Sequence, residues 1–324
     1  MRTAGGLLAA VDAVVADREF AEDRPKQWRK VPMRSPVILA RLMVFVAAVT
    51  VMIRASTAAD AGSTPKTRPA EQTVVFSSNR SGTWAIWAIR PDGSELRQIS
   101  KPASGEQDVD PAFSPDGSRI LFTSTRGGTA GLWQMARDGG DARRICDGDQ
   151  GGWSPDGRKI VFRRSGKLVT QEVATGKEKV ISPEGWEKCS GASWSPDGAN
   201  IAFACLGSGG NAIYLVAADG GASPTKVYDK QGACQPRWSP GGKVIVYETE
   251  THLCTINPDG TKNRLITFYG GVQRYGRFSP DGSRLVFCQA AAPDGPWELY
   301  TVAATGGTPT KLTEGGSDMY PDWK

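Results

Sequence analysis

The side chains able to do chemistry are few in kind. His252 is the only histidine in 324 residues, which leaves no pair for the histidine-based acid/base and nucleophile machinery of the familiar triads. It sits in Thr251-His252-Leu253-Cys254-Thr255, with no second ligand at a metal-binding spacing, and reads as a strand residue. The glycine-rich stretch Gly207-Ser208-Gly209-Gly210 lacks the Lys-Ser/Thr that completes a phosphate loop. We therefore expect no catalytic residue, no metal and no cofactor. What remains is recognition chemistry: arginine forks, carboxylates and aromatic faces.

Charge narrows the partners. The net charge is +5, but residues 1–61 hold nine Lys and Arg against six Asp and Glu, so the rest of the chain is nearly balanced and carries no field suited to nucleic acid. Leu42 to Ile53 is a twelve-residue apolar run bracketed by Arg41 and Arg54 and followed by Ala59-Asp60-Ala61. That is too short for a spanning helix and has the three parts of a secretory signal. Residues 1–32 read as an upstream extension ahead of a start at Met33, residues 33–61 as a signal peptide (an anchor if it is not cleaved), and 62–73 as a linker. The expected location is periplasmic or secreted, with membrane contact only through an uncleaved leader.

Thirty-nine Gly and 21 Pro mark a turn-dense fold, and the turns repeat. Ser-Pro-Asp-Gly follows Phe113, Trp153, Trp194 and Phe278, with the variant Ser-Pro-Gly-Gly after Trp238; the aromatics are spaced by 40, 41, 44 and 40 residues. A period near 40 built of short β-segments is that of a propeller blade. Each unit has a strand ending at the aromatic, the tight turn, a second strand such as Arg119-Ile120-Leu121-Phe122-Thr123, a third such as Gly131-Leu132-Trp133-Gln134-Met135, and an outer strand such as Leu265-Ile266-Thr267. Pro presets φ in the turn, and Gly accepts φ > 0. The turn carboxylates and the aromatics Phe113, Trp153, Trp194, Trp238, Phe278 and Trp323 are assigned to structure, not to ligands.

The two ends complete each other. Val74-Val75-Phe76-Ser77-Ser78 matches a second strand without its first, while Tyr320-Pro321-Asp322-Trp323 matches a first strand without the rest. Residues 74–324 are thus expected to form an all-β, six-bladed β-propeller of four-stranded blades, closed by the C-terminal strand pairing into the N-terminal blade, which removes open edges. Folding the fourth unit about its turn brings Cys189 opposite Cys205, a disulfide candidate; Cys189 with Cys234, at equivalent positions of adjacent blades, is the competing pair.

The loops leading into the innermost strands should converge at one end of the axial channel. They supply the candidate binding residues Asp108, Asp110, Trp186, Arg237, Arg274, Tyr275, Arg277 and Tyr320. Such a rim suits a peptide or an acidic saccharide.

The repeat Asp108 to Ser124 resembles that of the TolB family of six-bladed β-propellers, and weaker copies extend the resemblance over residues 74–324. The resemblance implies the propeller architecture but little about activity, since similar repeats occur in prolyl peptidases and oligogalacturonide lyases. TolB itself partners an envelope lipoprotein and carries an N-terminal α/β domain, for which the segment between leader and Val74 leaves no room; a peptidase would need a hydrolase domain after the last blade. Two readings follow. The first is an exported, monomeric, non-catalytic binding module for an envelope protein or peptide. The second is a polysaccharide-active lyase or hydrolase.

Overall fold

The computed structural model describes residues 72–207, 210–230, 232–267 and 270–324. Residues 1–71, which hold the upstream extension, the leader and all but the last two residues of the linker, lie outside the described residues. Among the latter there is no helix; twenty-four strands form six four-stranded antiparallel sheets. Blades are numbered here in chain order from Val74, and within each blade the strands run from the innermost to the outer.

Blade one carries the closure. Its second strand, Val74–Ser78, pairs with the last strand of the chain, Asp318–Trp323, in the register Val74↔Trp323 and Ser78↔Asp318. Backbone bonds from Lys324 N to Thr73 O (2.9 Å) and from Thr73 N to Lys324 O (2.6 Å) extend the seam. The other five blades are contiguous, with innermost strands Asp108–Phe113, Asp149–Trp153, Cys189–Trp194, Cys234–Trp238 and Val272–Phe278.

A single position explains the core. The second strands place Phe76, Phe122, Phe162, Phe203, Tyr247 and Phe287 at the same point of each blade, and all six are fully buried. Every blade therefore stacks one aromatic ring among aliphatic neighbours at the interface to the next.

The Ser-Pro-Asp-Gly turns use each residue for a distinct bond. In the second blade Ser114 Oγ donates to Asp116 Oδ1 (2.6 Å) while accepting from Arg119 N (2.9 Å), and Asp116 Oδ1 also accepts from Ser118 N (3.1 Å). The same trio recurs at Ser154–Asp156–Lys159 and Ser279–Asp281–Arg284. The Asp is thus chosen as an acceptor that closes an Asx-type turn. Gly157 has φ of 68°, the left-handed region that glycine enters without penalty. A Cβ there would lie 3.7 Å from Pro115 of the preceding blade's turn, so successive turns pack on one another around the ring.

Candidate functional site: the axial mouth

The innermost strands are all broken in one way. In each, the register against the second strand slips by a residue, as between Val109 and Ala112 or Arg274 and Arg277. At the slip sits a residue with positive φ: Asp110 (55°), Gln150 (53°), Gly191 (63°), Gln235 (51°), Tyr275 (57°) and Tyr320 (54°). Five of the six are not glycine, and left-handed geometry costs such residues about 1–2 kcal/mol. At Asp110, Gln150 and Tyr275, and likewise at Gly191, the kinked amide has a partner across the blade interface that offsets part of that cost. Asp110 N donates to Ser77 Oγ (3.0 Å), Gln150 N to Thr123 Oγ1 (3.3 Å), Gly191 N to Gln150 Oε1 (3.1 Å) and Tyr275 N to Glu248 Oε1 (2.6 Å). Bulges of this kind re-aim side chains.

Two residues past each bulge, one before the motif aromatic, lies a second ring: Ala112, Gly152, Ser193, Arg237, Arg277 and Asp322. Together with the six aromatics Phe113, Trp153, Trp194, Trp238, Phe278 and Trp323, these residues line a cavity of about 340 Å³ to which all six blades contribute. Its outer lip is made by Pro196, Pro240 and Pro280, so it opens on the side of the Ser-Pro-Asp-Gly turns.

The charges at this mouth are close together and secluded. Arg237 Nη1 donates to the carbonyls of Gly191 (2.6 Å) and Pro236 (2.9 Å). Arg277 Nη1 donates to Gly276 O at 3.4 Å, and its Nε lies 3.8 Å from Asp322 Oδ1. Asp322 Oδ2 instead accepts from Phe113 N at 2.7 Å, across the closure. Burial, and then the charge of Arg277, pull the Arg237 guanidinium below its ordinary value. Burial pushes the carboxyls of Asp110 and Asp322 up, against the attraction of Arg237 and Arg277. Ser193 Oγ and the indole N–H groups of Trp153, Trp194 and Trp238 are buried without a hydrogen-bond partner among the described residues.

The sequence-derived candidates divide accordingly. Asp110, Arg237 and Arg277 are brought together electrostatically on the axis. Tyr275 and Tyr320 are also brought together, their rings 4.3 Å apart and hydroxyls at 3.4 Å, but they are buried and do not line the cavity. Arg274 lies 5.9 Å over the ring of Trp297 and interacts with Glu248. Asp108 is fully buried and bonded to Arg126 Nη2 (2.5 Å) and Ser124 Oγ (2.7 Å). Trp186 packs edge-on against Tyr214, 4.7 Å away, and against Phe203. These last two are packing and tethering groups of their blades.

Sequence reasoning placed the rim where chains enter the innermost strands, whereas the cavity lies where they leave. Ser193, Asp322 and the aromatic wall were missed as lining residues. The signal was available: each ring member immediately precedes the aromatic of a repeat. His252 Nδ1 meets Gln273 Oε1 at 3.0 Å, and among the described residues no group of three or more His, Cys, Asp and Glu stands together as a metal ion requires. Cys189 and Cys205 face each other across the first two strands of blade four and are joined as a disulfide; Cys146, Cys234, Cys254 and Cys288 are free and buried.

A closed ring of six four-stranded blades with a converging axial mouth defines a six-bladed β-propeller. The family model described as the TolB beta propeller domain matches residues 40–189. The chain is a six-bladed β-propeller, and it resembles TolB over the matched part. It is 31% identical over 178 residues to an uncharacterized protein of Agrobacterium fabrum, covering 53% of this chain and 59% of that one. It is also 31% identical over 100 residues to a protein TolB homolog of Chlorobium luteolum, covering 30% and 22%. The chain thus spans less than two thirds of the length of the curated relatives it matches. Among solved structures, TolB from Acinetobacter baumannii superposes with a TM-score of 0.67 at 17% identity, covering 78% of this chain and 66% of that one. An oligogalacturonate lyase in complex with manganese superposes at 0.50 and 18% identity, covering 76% and 73%. Likenesses at such identity concern the fold.

Proposed function

We propose that this propeller is an exported, non-catalytic binding module that takes a protein or peptide of the cell envelope into its axial mouth. The observation that supports this most directly is the cavity: arginines, a carboxylate and aromatic walls converge from six blades, each held by bulge geometry and interblade bonds rather than by free loops. A rigid, preformed site loses little conformational freedom on binding. The similarity to proteins named TolB agrees with this reading, as does the leader at residues 33–61, which makes the periplasm or the exterior the place of action. The expected partner is an envelope protein or peptide, with the propeller itself a monomer.

A second reading, a polysaccharide-active lyase or hydrolase, draws on the paired arginines and neighbouring carboxylates at the same mouth and on the likeness of fold to an oligogalacturonate lyase. One comparison separates the two. The purified chain is offered both a panel of acidic and neutral polysaccharides and a detergent extract of the envelope. Saturable capture of an envelope component without degradation of any glycan is the expected result. Turnover of a polysaccharide that disappears in Arg277→Ala would overturn the binding-module reading.

A further inference from the structure

The turn after the third strand of a blade recurs around the ring, and its second residue changes in kind. In blade two it is Arg137, whose amide donates to Ser118 O (2.9 Å); in blade four it is Ala218, whose amide donates to Ala199 O (2.9 Å). The register of the residues just before agrees, Ala136 facing Arg119 and Ala217 facing Asn200. Arg137 holds its guanidinium 5.3 Å from the ring centre of Phe113 and donates from Nη2 to Thr73 Oγ1, at the start of blade one, at 2.6 Å. In blade four the motif aromatic is Trp194, and Ala218 has no side chain long enough to cover it. A cavity of about 480 Å³ lies there between the turns of blades three and four, lined by Trp194, Ala218, Pro155, Asp156, Asp197 and Asp219 among others.

The carboxylates around that cavity are only half used. In blades two and six the residue after the turn glycine is a serine, and both oxygens of the turn Asp are taken: Oδ1 by the turn itself, and Oδ2 by Ser118 Oγ (2.7 Å) at Asp116 and by Ser283 Oγ (2.8 Å) at Asp281. In blades three and four that residue is Arg158 or Ala199, neither with a hydroxyl. Asp156 and Asp197 accept their turn bonds at Oδ1, as Asp219 does from Gly221 N (2.9 Å), and Oδ2 of all three meets no donor among the described residues. Cations stand nearby without pairing to them: Lys159 is in the cavity wall, the charge of Arg158 is felt at Asp156, and Lys179 donates to the backbone carbonyl of Asp219. Among the described residues the carboxylates are not gathered closely enough to hold a metal ion. They border a space of side-chain size beside an aromatic, the setting in which a guanidinium is held by forked hydrogen bonds and by the ring. Resting on the binding-module reading above, we infer that this cavity is a second subsite, which takes an arginine side chain of the bound peptide at the place where blade two supplies its own Arg137. Trp194 also lines the axial mouth, so one extended peptide reaches both.

The test is selection from a random hexapeptide display library against the wild-type chain, against Ala218→Arg, which fills the cavity from within as blade two does, and against Asp197→Asn, whose Oδ1 still serves the turn. Thermal melting of each shows that it is folded. Peptides selected by the wild type are expected to carry Arg at one position, and its replacement by the neutral isostere citrulline to weaken binding about three- to tenfold. The preference for Arg is expected to vanish in Ala218→Arg and to weaken in Asp197→Asn; if Ala218→Arg does not fold, Asp197→Asn carries the result alone. Selected peptides with no preference for Arg, or with the same preference in the folded variants, overturn the arginine subsite while leaving peptide binding in place. No selectable peptide at all removes the binding-module reading and the subsite with it.

Discussion

Asp318 Oδ2 accepts a hydrogen bond from Arg80 Nη2 at 2.6 Å, although the two residues are 238 positions apart. Arg80 also lies over the rings of Phe76 and Trp87, at 5.6 and 5.2 Å, and its Nε donates to Ser78 Oγ at 2.9 Å. The arrangement is repeated within blade two by Asp108, Arg126 and Ser124, over the rings of Phe122 and Trp133. In blade two the pair ties neighbouring strands of one hairpin; in blade one it ties the two ends of the described fold.

Removing one partner of a buried pair leaves a charge without compensation, at a cost of about 3–5 kcal/mol. Asp318→Ala and Asp108→Ala are therefore both expected to lower the urea midpoint strongly. Asp318→Ala should in addition make the C-terminal strand the first segment lost in limited proteolysis. Equal protection of that strand in the two variants would show that the pair does not hold the closure.

The turn carboxylates should titrate unusually low. Hydrogen bonds, first from Ser114 and Ser118 and for the other from Ser279 and the Ser283 amide, hold Asp116 and Asp281 down at about 2 against an ordinary 3.8. With the folded value depressed, the stabilisation is complete above about pH 4 and is lost as pH falls through 2. Carbon-detected NMR titration checks the values. A midpoint near 3.8 for Asp116 would remove the Asx-turn account.

Replacing Gly157, at φ of 68°, by Ala is expected to destabilise the fold by about 1 kcal/mol or more. Gly241 is not in the positive-φ region and has open space around its Cβ position, so Gly241→Ala is the matched control and should be close to neutral. Denaturant unfolding of both variants reads the difference.

The pairing of Cys189 with Cys205 predicts an unreduced mass short of two hydrogens and a peptide map linking those two residues alone. The four other cysteines should react with alkylating reagents only on unfolding. Reduction should cost about 3 kcal/mol in the chain-entropy picture for a loop of roughly 15 residues. Free Cys189 and Cys205 in the unreduced protein would contradict it. Sequencing the N-terminus of the same product tests the leader, whose cleavage is expected near Ala61; a mature chain starting well before residue 55 would mean that the segment is retained.

The architecture was legible because the repeat is written in residues with steric duties. Pro and Gly fix the turn, and an aromatic nine residues after the one that precedes it, Phe122 after Phe113 or Phe162 after Trp153, marks the core. Spacing then counts the blades, and the unmatched halves at Val74 and Trp323 announce the closure. The site was legible only in part, because simple strand alternation would put Asp108 and Asp110 on the same face. The left-handed kink at Asp110 separates them: Asp108 is turned to Arg126 inside its blade, Asp110 to the axis. Bulges depend on interblade acceptors such as Ser77 and Glu248, more than 25 residues away in sequence, and no local pattern reveals them. Trp186 misled for a different reason, since it precedes its strand and packs on Tyr214.

The proposed binding of an envelope partner at the mouth where Arg237 and Arg277 meet can be measured directly. The most direct measurement is quantitative capture from envelope extract by the wild-type chain and by Arg277→Glu, which reverses the charge at the cavity wall, with matched melting temperatures. The expected result is a defined captured component whose recovery falls at least tenfold with the variant. Equal recovery by both proteins would place the binding surface elsewhere and contradict it.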